Sequence, residues 1–517
     1  MSSTINRRKF FHVLAVAFGL FVLPSRAQVD ASQERKHNGK DKKRHIDDGD
    51  YTLPGELSDF ATLSLVLGRV SDRSVIVSIL STMDLEGYFE YGTDAKLPTQ
   101  TTRSLSVVGG KPVEVSFSAL KPDTEYRYRL LSRNTGTVPF SVRREGRFHT
   151  QRATGSTFTF GVQGDSHPER PQMSDPRLYA RTLLQAATEK PDFYLCMGDD
   201  FSVAKLRTID AASLAQPYLL QRPFLGLVAQ SAPLFLLNGN HEQASLFNFN
   251  QKDVRHAVAV GVQNARNRFY PTPSPDGFYT GDTAPLPDIG LLRDYYAWHW
   301  GDALFVVLDN YWQSPALVDS GFQEIDAGGD KKGPAGHKDR DWWSLTLGDA
   351  QYHWFKRTLE QSEAKYKFVF AHHVLGSGRG GVDQCELYEW GGRNRRGDWE
   401  FTEKRPGWEL PVHQLMIKHG VTIFFQGHDH LFARQERDGI VYQEVPMPAD
   451  HGYFAYNQDR YQSGLKLPNS GHLRVTVAPA GVTVDYVRSF LPKDETGQQK
   501  TGAVACSYTI KPKEKHE

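Results

Sequence analysis

Residues 158–167 read Phe158-Thr-Phe-Gly-Val-Gln-Gly-Asp-Ser-His167. A strand-forming apolar run ends here in a glycine turn that carries a carboxylate and an imidazole. The pattern recurs downstream. Phe193-Tyr-Leu-Cys-Met leads to Gly198-Asp199-Asp200, and Leu234-Phe-Leu-Leu leads to Asn238-Gly239-Asn240-His241-Glu242. Phe368-Val-Phe-Ala leads to His372-His373, and Val421-Thr-Ile-Phe-Phe leads to Gly427-His428-Asp429-His430. Each run suits a buried strand, and each cluster falls just past its carboxyl end, the edge at which α/β sheets bind ligands.

Taken singly, the clusters have plainer readings. Asp165-Ser166 suits a helix cap, Gly198-Asp199 and Gly239-Asn240 are ordinary turn dipeptides, and a lone His372 or His428 suits a hydrogen-bonded core or surface histidine. Five clusters of ligand-type residues in succession, all at strand ends, point instead to metal chemistry. Between them lie helix-like stretches such as Asp175 to Thr188 and Asp349 to Glu360, which predicts layered α/β structure. Leu473 to Val477 and Val482 to Tyr486 flank Pro479-Ala480-Gly481 as a closing hairpin.

Outward from this domain, residues 51–150 consist of short β-type runs: Leu63 to Val70, Ser74 to Leu80, Gly87 to Tyr91, Val113 to Phe117, Glu125 to Leu131 and Gly146 to His149. Six or seven strands in that length predict an all-β sandwich, and Leu120-Lys-Pro-Asp-Thr-Glu-Tyr126 resembles the turn and tyrosine of a fibronectin type III domain. Residues 28–50 are charge-dense and read as a linker. Residues 1–27 hold Arg7-Arg8-Lys9-Phe10-Phe11, an apolar stretch from Val13 to Leu23 too short to span a bilayer, and Ser25-Arg26-Ala27 as a cleavage site. They resemble a twin-arginine signal, which implies the twin-arginine machinery as a partner, a periplasmic or secreted destination, and no membrane anchor after cleavage. The main domain is placed at 151–490 and a tail at 491–517.

The sequence has 61 Lys+Arg against 60 Asp+Glu, without the basic excess of a protein that grips nucleic-acid phosphates. Three scattered cysteines give neither a disulfide framework nor a zinc-finger spacing, and leave room for at most one disulfide.

The series D-x-H, G-D, G-N-H-E, H-H and G-H-D-H resembles that of the calcineurin-like metallophosphoesterase superfamily over about Phe158 to Tyr486, and Tyr295 to Asp309 is similar to a strand pair of its secreted bacterial members. The resemblance implies a four-layer αββα sandwich and two transition-metal ions (Fe, Mn or Zn). It implies Asp165, His167 and His430 on one ion, Asn240, His372 and His428 on the other, and Asp199 bridging, with His372 preferred over His373. It also implies a small phosphate ester as substrate, hydrolysed by water activated between the ions. A β-sandwich before a metal domain is similar to plant-type purple acid phosphatases, but Ser202 stands where those carry the iron-binding tyrosine, so no purple chromophore is expected.

The residue chemistry agrees with this assignment. Imidazole and carboxylate suit transition metals, and a shared carboxylate holds two ions roughly 3.5–4 Å apart, where both polarise one phosphate. His241, beside Asn240, is placed to protonate the leaving oxygen, with Asp200 or Glu242 as its orienting partner. Gly376 to Trp408, rich in arginine and tryptophan, is a candidate rim, with Arg379, Trp390 and Arg393 as substrate-binding residues. Asp319 to Trp343 reads as a surface loop. The competing functions are a metal-binding extracellular interaction or adhesion protein, which the full ligand set disfavours, and a nuclease, which the charge balance disfavours.

Replacing Arg7 and Arg8 together by Lys is expected to leave precursor in the cytoplasm. Fractionation checks this, and normal periplasmic accumulation would assign the leader to the general secretory route.

Overall fold

In Phe193-Tyr-Leu-Cys196, alternate residues face opposite ways, and each set has its own partner layer. The computed structural model describes residues 57–94, 99–134, 139–203, 206, 208, 210–244, 252–314, 341–375 and 378–512. The leader, the linker and most of the 319–343 loop therefore lie outside the described residues. Phe193 and Leu195 point inward with Phe160, Phe305, Phe368, Phe370 and Phe425, filling the space between two sheets. Tyr194 and Cys196 point outward, under the helices Pro176–Thr188 and Ala211–Ala229. Val306, Val369 and Phe424 of the second sheet likewise face away from the centre, under Asp349–Gln361 and Val412–Lys418. The result is the expected four-layer αββα sandwich.

The first sheet has six strands in the order Leu234–Leu236, Phe193–Cys196, Phe158–Gln163, Gly471–Ala478, Gly481–Arg488, Val504–Ile510. Its first three strands are mutually parallel. The second has eight, with Ala303–Val307, Tyr366–Phe370, Ile423–Gln426 and Ile440–Glu444 running parallel at its centre. All five ligand-bearing runs are thus strands, and all five clusters follow their carboxyl ends. The carboxy-terminal residues expected as a tail add a strand to the first sheet. Residues 504–510 pair with 481–488 as an edge strand that is mostly exposed, which is why its apolar alternation is weak in sequence.

The amino-terminal strands form a three-stranded and a five-stranded sheet around Phe89, Phe117, Tyr128 and Phe148. Tyr126 closes the expected corner, its hydroxyl accepting from Lys121 N at 2.9 Å. Two short strands, Gln100–Thr101 and Leu105–Val107, carry too little apolar signal to be read from sequence.

The sandwich is bound to the main domain through a buried cation. Arg222, on the helix Ala211–Ala229, donates to Ser78 O at 2.9 Å, Ser64 Oγ at 3.2 Å and Phe269 O at 2.8 Å. Burial lowers its guanidinium to about 10. Tyr128 Oη adds a hydrogen bond to Gln230 O at 2.6 Å. Among the described residues no helix is long and apolar enough to cross a membrane, and Cys196, Cys385 and Cys506 are free thiols. Arg222→Ala strips several buried oxygens of a charged donor and is expected to cost about 3–5 kcal/mol, read by urea denaturation.

Candidate metal centre

The two sheets bring the five clusters to one point. Asp165, His167, Asp199 and Asn240 come from loops of the first sheet, and His372, His428 and His430 from loops of the second. All are buried. Three overlapping groups have ligand atoms within 4.8 Å of one another: Asp165–His167–His430, His167–Asp199–His241 and Asp199–His372–His428.

Two carboxylate oxygens form the hub. Asp165 Oδ2 lies 2.9 Å from His430 Nε2, 3.7 Å from His167 Nε2 and 4.0 Å from His372 Nε2. Asp199 Oδ2 lies 3.4 Å from His372 Nε2, 3.5 Å from His167 Nε2 and 4.0 Å from His241 Nε2. The outer oxygens are engaged by backbone: Asp165 Oδ1 accepts from His428 N at 2.9 Å, and Asp199 Oδ1 from His241 N at 2.7 Å.

The imidazoles are aimed at this hub. His372 Nδ1 donates to Met197 O at 2.8 Å, which turns Nε2 towards Asn240 Oδ1 at 3.1 Å and the Asp199 carboxylate. His167 Nδ1 donates to Glu169 Oε1 at 3.0 Å, while its buried Nε2 makes no hydrogen bond among the described residues. Fixing one ring nitrogen on a carboxylate or carbonyl to present the other is how ligand histidines are oriented. Nitrogen and oxygen lone pairs crowded 3–4 Å apart require a cation among them, and the donor set fits a metal. For His372, burial is the largest influence and pushes downward, but Asp199 and Asp165 outweigh it and raise the group to about 10. For Asp165 and Asp199, burial pushes upward, but the surrounding histidines hold both well below the carboxylate range.

The loops accept unusual backbone geometry to achieve this. His167, Asp199, His428 and His430 have φ of 40°, 59°, 77° and 60°, a region costly for residues with a side chain and concentrated at functional sites. The glycines leave room: a Cβ at Gly427 would stand 2.6 Å from Asp165 Oδ1, and one at Gly239 would overlap the Asp199 carboxylate.

The match that decides the family is the calcineurin-like phosphoesterase profile, which covers residues 158–432, more than half the chain. The chain belongs to the calcineurin-like phosphoesterase family. As such it is a metal-dependent phosphoric ester hydrolase. Among solved structures, that of PhoD is similar with a TM-score of 0.57 and 14% identity, covering 90% of this chain and 91% of PhoD. This likeness is one of fold. GAP50, the anchor in the inner membrane complex of Plasmodium, gives 0.36 and 12%, covering 70% of this chain and 90% of its own. Phosphopantetheinyl hydrolase from Mycobacterium tuberculosis gives 0.26 and 13%, covering 57% and 92%. No curated protein sequence matches the chain.

Several expectations for this phosphoesterase's site change. His241, on the turn Asn240–Ala244, has Arg170 Nη2 on its Nε2 at 2.8 Å, rather than Asp200 or Glu242. Asp200 accepts from Gln163 and Ser166. Glu242 accepts from Gly239, Asp199, Asp200 and Phe201 N at 2.6, 2.9, 2.8 and 3.0 Å. Burial, helped by the neighbouring Arg170 guanidinium, lowers His241 to about 3, against Asp199 and Glu169. Trp390 is a core residue, fully buried against Phe424 with Nε1 donating to Tyr442 Oη. Arg393 lies outside the ligand group, exposed over Trp399 and donating to Gly397 O. Arg379 does reach the ligand loop, donating to His428 O and to Asp429 Oδ1 at 3.1 Å. It borders a cleft of about 1170 Å³ that Trp342, Tyr388 and Arg395 also line, beside the ligands rather than over them.

Sequence reasoning missed Glu169, Arg170 and Asn469. The first two were legible as a carboxylate and a cation just after D-x-H, whereas Asn469, which donates to His430 O at 2.8 Å, follows a loop with no motif.

Glu242→Ala leaves four backbone N–H groups without their acceptor. It is expected to lower stability by about 3 kcal/mol or more and to empty the centre of metal, with Glu242→Gln intermediate. Urea unfolding and metal analysis check both.

Proposed function

We propose that the chain binds two transition-metal ions, Fe, Mn or Zn, and uses them outside the cytoplasm to hydrolyse small phosphate esters. Asp165, His167 and His430 hold one ion, Asn240, His372 and His428 the other, and Asp199 both. The single observation that carries this reading is that Asp199 Oδ2 lies 3.5 Å from His167 Nε2 and 3.4 Å from His372 Nε2, between a donor for each ion, as a bridging carboxylate must. When bound, the metal pair supplies Lewis-acid charge to the phosphoryl oxygens and activates a water.

The chain's own residues do the rest. Glu169 and Met197 O keep His167 and His372 facing inward. Arg170 donates to His241 Nε2, leaving the other ring nitrogen to carry the proton. Together they present a fixed cation and an imidazole where charge develops on the leaving oxygen. The paired arginines Arg7-Arg8 before an apolar stretch support export through the twin-arginine machinery. A screen of the metal-loaded enzyme against aryl phosphate, bis-aryl phosphate and nucleotide substrates tests the activity and divides monoesters from diesters.

Asp199→Ala is expected to lose at least one metal together with turnover, and exhaustive chelation of the wild type to abolish activity. His241→Ala is expected to keep near-normal metal content and to lose rate by roughly 10²–10⁴-fold on alkyl phosphates, less on nitrophenyl phosphate, whose leaving group needs little protonation. Metal analysis alongside kinetics separates the roles: a His241→Ala protein that loses its ions would make this histidine a ligand.

A further inference from the structure

Among the described residues the most exposed large hydrophobic side chain is Phe454, at 56%. A solitary exposed phenylalanine is ordinary on a protein surface, and what distinguishes this one is the way it is held beside the metal centre. The Tyr456 ring stands edge-on to the imidazole of His430, centroids 6.0 Å apart at 88°. Phe454 in turn meets Tyr456 at 5.6 Å and 69°. A metal-ligand histidine, a tyrosine and an open phenylalanine therefore form one continuous aromatic path from the ligand group to solvent.

The path is fastened at every step. Tyr456 N donates to His430 O at 3.2 Å. Asp450 accepts from Gly452 N at 2.9 Å and Phe454 N at 2.8 Å. Asn469 Nδ2 links Asp450 Oδ2, at 3.3 Å, to His430 O, at 2.8 Å. The Phe454 ring lies against Gly452, where an added Cβ would overlap it. Tyr453, at φ 52°, is pinned by its hydroxyl, which donates to Asp494 Oδ2 at 3.1 Å and accepts from Leu491 N at 2.9 Å. The backbone that carries this ring is fixed on both sides, Phe454 N donating to Asp450 and Phe454 O accepting from Asn469 N at 2.9 Å, so the exposed ring belongs to a set conformation.

We propose that Phe454, backed by Tyr456, is a specificity-determining shelf on which an aromatic ring of the substrate stacks while its phosphoryl group lies among the metal ligands. The inference rests on the hydrolase reading of that centre and narrows its substrates to phosphate esters bearing a planar ring. Stacking of a base on an aromatic side chain corresponds to about five- to 150-fold in affinity.

Phenylphosphonate and methylphosphonate share a phosphoryl head that the enzyme cannot cleave and differ in the ring. Calorimetric titration of the metal-loaded wild type is expected to favour the phenyl compound by at least about fivefold. Phe454→Ala should remove that preference and leave methylphosphonate affinity unchanged, and Phe454→Trp should retain it. Equal binding of the two compounds by the wild type, or a preference that survives Phe454→Ala, overturns the shelf and leaves the hydrolase reading intact. A shift of oligomeric state in Phe454→Ala without change in ring preference also overturns it, assigning the ring to contact between copies. Binding of neither compound overturns both readings.

Discussion

The candidate metal centre hangs on a carboxylate outside the three groups of ligand-type residues. Glu242 gathers the backbone N–H groups of Gly239, Asp199, Asp200 and Phe201, and so fastens the turn after Phe193–Cys196 to the turn after Leu234–Leu236. Two loops joined by bonds spanning 41 to 43 residues of sequence thereby become one rigid surface, with Asp199 at its centre. His241 N closes the same junction by donating to Asp199 Oδ1. A buried carboxylate surrounded by four donors is stable only when all of them are aligned, so the loop geometry is set before any ligand enters. Burial, the largest influence, and the Asp199 charge push Glu242 up to about 7 despite those donors.

The ligand loops were legible because their chemistry is local. An apolar run, a glycine and a ligand-type residue are adjacent in sequence, and each run proved to be a strand. The glycines were legible as turns, though not for their second purpose: Gly239 and Gly427 are small because carboxylates pass close beside them. What supports the ligands was mostly illegible. Arg170 and Asn469 act across the fold on His241 and His430, and no spacing rule connects residues 71 and 39 positions apart. Trp390 misled for the opposite reason. A tryptophan among arginines and glycines reads as a rim residue, but this stretch folds back under Phe424 and Tyr442 and buries the indole.

The backbone strain and the ligand set belong together. His167, Asp199, His428 and His430 all adopt positive φ, and each costs roughly 1–3 kcal/mol in that region. The surrounding bonds hold them there: Asp429, between two of the strained histidines, accepts from Arg379, Gly380 N and Tyr461 Oη. A centre built this way exchanges stability for a ligand geometry that needs little rearrangement when metal binds.

The order of strands in the first sheet carries a consequence for how the chain reaches this state. Phe158–Gln163, which leads into Asp165, pairs on one side with Phe193–Cys196 and on the other with Gly471–Ala478, more than 300 residues later. The β-sandwich between residues 63 and 149 pairs only its own strands, all within one short stretch of chain. The central strand of the catalytic domain must wait, one edge open, until residue 478 has been made. Pairings of such sequence separation are slow and leave strand edges exposed meanwhile. Synthesis therefore creates an interval in which every amino-terminal strand has its partner while the catalytic domain is unfinished and its candidate metal ligands have not yet met.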